Sequence, residues 1–166
     1  DVLVTTSGIR AAELAPGSVV GTSSLRRELQ IRELNPLVQI KLLRGNVQTR
    51  MRKLKEGQYD AILLAAAGLE RLGITEGDGI HLEYLEPDAF LPAAGQGILA
   101  VEAKEGRLTE VLEAIHCPEA ALELKAERSF LRAIGGSCNA PAAGLCRLKD
   151  GGLHMSVLYA PDGVRL

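Results

Sequence analysis

Short apolar runs alternate along the chain with segments of helical periodicity. Apolar or alternating runs typical of β-strands occupy residues 2–4, 19–20, 38–42, 61–67, 80–85, 98–101, 142–148 and 153–159. Apolar residues at helical spacing, with stop signals such as Asn35-Pro36 and Gly57, predict helical segments at residues 11–14, 25–34, 47–56, 69–72, 107–115 and 118–134. This alternation of strand and helix predicts an α/β fold.

The distribution of apolar runs and breakers also predicts the domain organisation. The run at 61–67 is apolar throughout, which is typical of a strand covered on both faces, so we expect a mixed, mainly parallel sheet in residues 1–90. Residues 91–97 contain too much Gly and Pro for the interior of an element and predict a hinge. The last two strands are joined through Asp150-Gly151, a hairpin signal. They predict part of a small α+β domain with antiparallel strands in residues 117–166.

The junction between the second strand and the next helix has the composition of an anion site. It contains Gly21, Thr22, Ser23, Ser24, Arg26 and Arg27. A helix N-terminus offers free N–H groups, and Ser or Thr there can cap the helix or donate to an oxyanion. Arginine in a first turn is unusual, because the macrodipole disfavours cations at that end. The stretch therefore either binds an anion or is an ordinary cap with two solvated arginines.

A second junction repeats this design. The alternating strand at 38–42 leads into Arg44, Gly45 and Asn46, and Arg50 follows in the next helix. The carboxyl ends of neighbouring parallel strands share one sheet edge, where open α/β folds bind ligands. Because arginine pairs bidentately with carboxylate or phosphate, the two junctions together predict a small polyanionic ligand.

Composition restricts the partners. Of the 19 basic residues 13 are Arg, yet the net charge is −2, so the broad basic face of a nucleic-acid-binding protein is not expected. Aromatic residues make up 3% of the chain and Trp is absent, which disfavours a base-stacking surface. No apolar run is long enough to span a membrane, and no signal-peptide pattern begins the chain. Three cysteines without disulfide or zinc-site spacing predict a cytoplasmic protein and no metal.

One cysteine stands apart from the other two. Cys138 follows a helix on a Gly-Gly-Ser loop, whereas Cys117 and Cys146 lie beside apolar residues and are interpreted as packing residues. The residues alone leave open whether Cys138 is reactive or an inert loop thiol. The end of the 61–67 run, which includes Ala65, is equally open: its small side chains suit either a nearby ligand or close helix packing.

Five motifs occur in an order that resembles the porphobilinogen deaminase (hydroxymethylbilane synthase) family. They are VGTSSLRR at 20–27, LRGN at 43–46 with Arg50, YDAILLAAAGL at 59–69, LPAAGQG at 91–97 and GSCNAP at 136–141. The similarity covers essentially the whole chain. It implies a periplasmic-binding-protein-like second domain in 1–90, a hinge and return segment in 91–116 whose strand joins a first domain, and part of a third domain in 117–166. The chain thus resembles a fragment lacking both the first domain and the end of the third.

The resemblance also implies site roles. Cys138, within a Cys-x-x-Pro loop, would carry a dipyrromethane cofactor through a thioether, although Ser137 stands where a second glycine is common. The residues implied in binding that cofactor are Thr22, Ser23, Ser24, Arg26, Arg27, Arg44, Gly45, Asn46, Arg50, Ala65 and Gln96. The implied reaction is the stepwise condensation of four porphobilinogen molecules to hydroxymethylbilane with loss of ammonia, by a full-length enzyme expected to be a monomer.

The resemblance leaves the catalytic aspartate unassigned in this chain, and the residues allow two other functional hypotheses. The family's catalytic aspartate belongs to its N-terminal domain, and neither Asp60 nor Asp78 is given that role, so the chain alone is expected to be inactive. The alternative function is a non-enzymatic, periplasmic-binding-protein-like module for a small dicarboxylate or phosphate. A weaker hypothesis is a cysteine hydrolase that uses one of the three histidines, His81, His116 or His154, although none lies in a recognisable signature.

Overall fold

A computed structural model describes residues 1–136 and 140–161. Its first part contains strands β1 (Val2–Thr5), β2 (Val19–Thr22), β3 (Gln39–Leu42), β4 (Ala61–Leu64) and β5 (His81–Tyr84), with a 3₁₀ turn at Ala11–Glu13 and helices α1 (Leu25–Leu34), α2 (Val47–Lys55) and α3 (Ala66–Arg71). Its second part contains α4 (Thr109–Ile115), α5 (Pro118–Ala133), β6 (Ala142–Lys149) and β7 (Gly152–Tyr159).

The first five strands form one mixed sheet in the order β3-β2-β4-β1-β5. Strands β3, β2 and β4 are parallel neighbours, and β1 is antiparallel to both β4 and β5. Four of the five strands therefore run in one direction. This confirms the prediction of a mixed, mainly parallel sheet, and it places the ends of β3, β2 and β4 side by side.

Alternate residues of the central strands enter two cores, one on each face of the sheet. Val2 and Val4 pack with Met51 and Leu54 of α2, whereas Leu3 packs with Ile31 of α1. All four side chains of β4 are likewise buried. The strand is thus covered on both faces, as its continuous apolar sequence predicted.

The prediction that this strand continues to residue 67 was wrong. β4 ends at Leu64, Ala65 is the N-cap of α3, and the helix begins at Ala66 rather than at 69. Alanine is the strongest helix former, and a short apolar run does not distinguish strand from buried helix. The last three residues of the apparent strand therefore form the N-cap and the first two residues of a helix.

A second correction concerns residues 98–101, which form no strand. Their backbone pairs with no strand of the described residues, and Leu99 and Val101 are 70% and 61% exposed. An apolar run becomes a strand only if a neighbour accepts its backbone hydrogen bonds, and none in the described ranges lies alongside. The following helix, α4, begins at Thr109 rather than 107 because Leu108 adopts a left-handed backbone, with φ of 58°.

The second part of the chain contains a helix and a hairpin. β6 and β7 pair antiparallel from Ala142 opposite Tyr159 to Lys149 opposite Gly152, and α5 packs against β6. Asp150 and Gly151 both have positive φ, at 53° and 76°, as a two-residue type I′ turn requires. The predicted antiparallel hairpin is confirmed.

Candidate functional site

Three helices begin at the shared edge where β3, β2 and β4 end. The first two have side-chain caps: Ser24 Oγ accepts from the Arg27 N–H at 3.4 Å, and Asn46 Oδ1 accepts from the Thr49 N–H at 2.8 Å. The third, α3, begins at Ala66, and its N-cap residue Ala65 forms no side-chain cap bond. The predicted junctions are therefore neighbours in space, and they bring backbone N–H groups to one edge of the sheet.

Packing explains the sequence of the β2–α1 junction. A Cβ on Gly21 would lie 2.8 Å from Tyr59 and 3.0 Å from both Ile62 and Leu43, so only glycine fits. Thr22 is buried, and its Oγ1 accepts from the Ser24 N–H at 3.1 Å. Thr22 thus shapes the turn, whereas the adjacent Ser23 is exposed at the edge.

The β3–α2 junction is held in a conformation that only glycine adopts readily. Gly45 has a φ of 121°, and a Cβ there would lie 2.8 Å from Thr49. Its carbonyl accepts from Arg50 Nε at 2.8 Å, and the carbonyl of Arg44 accepts from Lys53 Nζ at 3.2 Å. These bonds orient Arg50 along the junction, while Arg44 is exposed.

Arg26 and Arg27 are not solvated caps. Their side chains are 4% and 10% exposed, and both pair with the fully buried carboxylate of Asp1. Arg26 Nη1 lies 2.6 Å from Asp1 Oδ2, and Arg27 Nη2 lies 2.7 Å from Asp1 Oδ1. Arg27 also donates to the Leu63 carbonyl of β4 at 3.3 Å. One carboxylate therefore balances one of two buried guanidinium charges.

The segment 91–97, which we call the linker, is bound to this cluster. Gln96 Nε2 donates to Asp1 Oδ1 at 3.0 Å, and Gln96 Oε1 accepts from Arg26 Nη2 at 3.3 Å. Arg26 Nη1 also donates to the Leu91 carbonyl at 2.6 Å. Gln30 binds the same residue twice: its Oε1 accepts from the Leu91 N–H at 2.7 Å and its Nε2 donates to the Leu91 carbonyl at 3.0 Å.

The linker is also bound from its other side by a helix of the second part. The carboxylate of Glu127, on α5, is buried and accepts from the Gly95 N–H at 2.5 Å and from the Cys146 N–H at 2.8 Å. The Gly144 N–H donates to the Pro92 carbonyl at 3.1 Å. The linker therefore lies between the sheet with its arginines and the α5 and β6 pair.

Positive charge accumulates at the edge. Burial, and secondarily Arg27, lowers the pKa of Arg26 to about 9, and burial lowers the pKa of Arg27 to about 10. The pKa of Arg50 is lowered by partial burial and then by the charge of Arg27. Among residues 1–136 and 140–161, no carboxylate forms an ion pair with Arg44 or Arg50. The edge can thus accept an anionic ligand.

The structure brings most of the predicted site residues together. The residues at the strand ends are Ser23, Ser24, Arg44, Gly45, Asn46, Arg50 and Ala65. Thr22, Arg26 and Arg27 are buried next to them, and Gln96 is half-buried and bound to Arg26. Cys138 falls outside the described residues. Sequence reasoning missed Asp1, Gln30 and Glu127, because nothing in their local sequence indicates partners 19 to 95 residues away. An acid just before a buried strand is the sole signal for Asp1.

In the described part of the chain, no group of three or more His, Cys, Asp or Glu residues is placed to hold a metal ion. No helix described there combines the length and apolar character that crossing a membrane requires.

The chain matches known proteins over its whole length. A family model described as "Porphobilinogen deaminase, dipyromethane cofactor binding domain" matches residues 1–111. Porphobilinogen deaminases of Syntrophobacter fumaroxidans, Roseiflexus castenholzii and Halalkalibacterium halodurans are 47%, 49% and 45% identical over 169, 166 and 170 residues. These alignments cover 100%, 98% and 100% of this chain and 54% of each relative.

The chain thus spans about half the length of the curated relatives it matches. The matches agree with the resemblance seen in the five motifs, and they give no support to a separate, non-enzymatic binding module. The family model further identifies the matched region as the cofactor-binding part of such proteins. This chain belongs to the porphobilinogen deaminase family.

Proposed function

We propose that this chain is the cofactor-binding part of a transferase of tetrapyrrole biosynthesis. The whole protein would condense four porphobilinogen molecules stepwise on a cysteine-linked dipyrromethane and release hydroxymethylbilane, with loss of ammonia at each condensation. Its catalytic aspartate would belong to a part of the protein not represented in these 166 residues. The chain alone would therefore have little or no activity.

One observation carries this proposal: Arg44 and Arg50 stand at the strand ends with no carboxylate partner among the described residues. Porphobilinogen and the dipyrromethane carry acetate and propionate groups, which suit guanidinium donors. The hydroxyl of Ser23 and the capped starts of α1 and α2 add donors beside them. The donor set therefore fits a ligand with several carboxylates.

Each element has a distinct role in this proposal. Arg44, Arg50 and Ser23 bind carboxylates directly, and Gly45 and Asn46 hold the backbone that presents them. Arg27 adds charge beneath the edge. Ala65 leaves room beside the start of α3. Correct positioning of two reacting groups supplies a large share of catalysis, and these residues would position the growing chain.

Cys138 would attach the cofactor, which, when bound, supplies the pyrrole chain to which each porphobilinogen is added. The thiol follows α5 by five residues. Glu127 of the same helix binds the linker. The helix that precedes the thiol in the chain is therefore joined through Glu127 to the linker, which Gln96 connects to Arg26 and Asp1.

The remaining proposals concern the whole protein. We propose a periplasmic-binding-protein-like domain in residues 1–90, a hinge and return segment in 91–116, and part of the cysteine-bearing domain in 117–166. The protein would be a cytoplasmic monomer whose only partner is its small-molecule substrate, without nucleic acid or membrane. The net charge of −2 supports the absence of a nucleic-acid partner, because such a partner requires a broad basic face.

The test compares two arginines of the same helix in the protein produced from its complete gene. Arg50→Gln removes an edge guanidinium, whereas Arg52→Gln removes one that pairs with Glu56 on the exposed surface. We expect Arg50→Gln to slow porphobilinogen consumption by about 10- to 100-fold, because charge-assisted bonds position the ligand. Arg52→Gln is expected to change the rate of porphobilinogen consumption by less than about twofold. Equal rates in both variants would contradict the proposal.

A further inference from the structure

The buried carboxylate of Asp1 accepts four hydrogen bonds. Its Oδ2 accepts from Arg26 Nη1 at 2.6 Å. Its Oδ1 accepts from Arg27 Nη2 at 2.7 Å, from Arg27 Nε at 3.1 Å and from Gln96 Nε2 at 3.0 Å. Four donors from two distant segments converge on one buried carboxylate.

The carboxylate is fixed in place by the sheet. β1 follows directly and all four of its residues are buried, and it pairs with both β4 and β5. The Asp1 carbonyl accepts from the Leu85 N–H at 3.0 Å. Asp1 is therefore an anchor for its partners, because its backbone adjoins an interior strand of the sheet and is hydrogen-bonded to Leu85.

The partners of Asp1 form a closed ring that includes the linker. Arg26 donates to Asp1 and to Gln96, and Gln96 in turn donates to Asp1. Arg26 also holds the Leu91 carbonyl, so both ends of the linker are bound to one guanidinium. A shift of that guanidinium displaces hydrogen bonds at both ends.

We infer that Asp1 is a positioning residue whose carboxylate holds Arg26 and Arg27 in place and, through Gln96, couples the arginine pair to the conformation of the linker. Removal of the carboxylate leaves two buried guanidinium groups without a countercharge, which is costly in a low-dielectric interior. The positions of the two arginine side chains and the conformation of the linker then change together. This inference concerns the coupling itself and holds whichever anion the edge binds.

The experiment measures hydrogen–deuterium exchange of the peptide spanning residues 86–98 in Asp1→Ala, with formate added as a replacement for the deleted carboxylate. We expect exchange at the linker amides, such as those of Leu91 and Gln96, to rise about 10-fold or more, because bonds to charged groups are lost. Formate restores slow exchange, whereas chloride at equal ionic strength does not. A purely structural role of Asp1 would show no such selectivity.

Asp60→Ala is the matched control. Asp60 Oδ2 accepts from the Val19 N–H at 2.7 Å and is part of no arginine pair in the described residues. Its removal is expected to leave linker exchange unchanged with or without formate. Unchanged linker exchange in Asp1→Ala, or equal effects of formate and chloride, overturns the inference.

A second variant keeps the inference falsifiable if Asp1→Ala does not fold. Gln96→Ala removes the linker side of the ring while leaving Asp1 and both arginines. We expect about 10-fold faster exchange at the linker, unchanged exchange in β1 and β4, and no response to formate. Linker exchange equal to that of the unmodified protein would overturn the coupling.

Discussion

Arg27 points two of its nitrogens, Nε at 3.1 Å and Nη2 at 2.7 Å, at the same carboxylate oxygen of Asp1. The two residues lie 26 positions apart in the chain, on either side of β2. Their pairing places a positive charge beneath the strand ends and fixes α1 over the sheet. The anion-binding edge thus depends on a buried ion pair as well as on its exposed donors.

Arg26 is expected to matter more for stability than an exposed arginine of the same helix. Arg26→Leu removes a donor from Asp1, Gln96 and the Leu91 carbonyl and should lower the free energy of unfolding by about 3 kcal/mol. Arg32→Leu breaks an exposed pair with Glu28 and should cost less than about 1 kcal/mol. Urea unfolding measures both. Equal losses would show that the buried cluster contributes no more than a surface pair.

Gly45 is expected to tolerate no side chain. Gly45→Ala combines a φ of 121° with a Cβ 2.8 Å from Thr49 and should destabilise the protein by about 2–3 kcal/mol. Gly57→Ala is the matched variant, since Gly57 has a φ of 73° and nothing within 4 Å of the added Cβ. It should cost about 1 kcal/mol. Thermal unfolding distinguishes them, and the prediction fails if Gly57→Ala is the more damaging change.

Glu127 is expected to hold the linker against α5. Glu127→Gln retains one acceptor oxygen for the two N–H groups of Gly95 and Cys146 and should reduce the free energy of unfolding by about 2 kcal/mol. Glu123→Gln, on the same helix, weakens one exposed bond to the Leu148 N–H and should change it by less than about 1 kcal/mol. Denaturant titration compares the two. A larger loss in Glu123→Gln contradicts the role given to Glu127.

The two described cysteines are expected to differ in reactivity. Cys146 is 2% exposed, and burial, followed by the charges of Glu127 and Glu123, raises the pKa of its thiol. In a Cys138→Ala background, a disulfide reagent at pH 8 should modify the exposed Cys117 quickly and Cys146 only on unfolding. Fast modification of both thiols under native conditions would contradict the burial of Cys146.

The same pKa shift has a consequence for stability. A thiol with a raised folded pKa keeps its proton in the native state after the unfolded chain has lost it. The unfolded state therefore binds fewer protons above its own thiol pKa of about 8.5, and the free energy of unfolding falls as the pH rises through that value. Cys146→Ala should flatten this decline above about pH 8.5, which urea unfolding at several pH values measures.

The sequence located the strand ends correctly but did not reveal the burial of their arginines. Strand and helix periodicity predicted both junctions, because hydrophobic patterning is local. The parallel pairing of β2 and β3 then places the junctions side by side. The burial and ion pairing of Arg26 depend on Asp1, which the order of strands in the sheet places beside it. An ion pair between residues 25 positions apart leaves no pattern in the sequence around either residue.

The two errors in secondary structure have the same origin. Residues 65–67 end an apolar run that suits a strand or a buried helix, and in the structure Ala65 is the N-cap of a helix that begins at Ala66. Residues 98–101 have the composition of a strand, yet strand formation requires a neighbour, and the described ranges provide none. The local sequence pattern predicts the tendency of a segment to form a strand or a helix, whereas tertiary contacts determine which structure forms.

The central claim is that Cys138 carries a dipyrromethane whose carboxylates the arginine edge binds. The most direct measurement is peptide mass mapping of the protein isolated from its own cells. Trypsin releases residues 133–147 as one peptide that contains both Cys138 and Cys146, so fragment ions must assign the modification. We expect a dipyrromethane mass on Cys138 that Cys138→Ala abolishes. An unmodified Cys138 in that protein would contradict it.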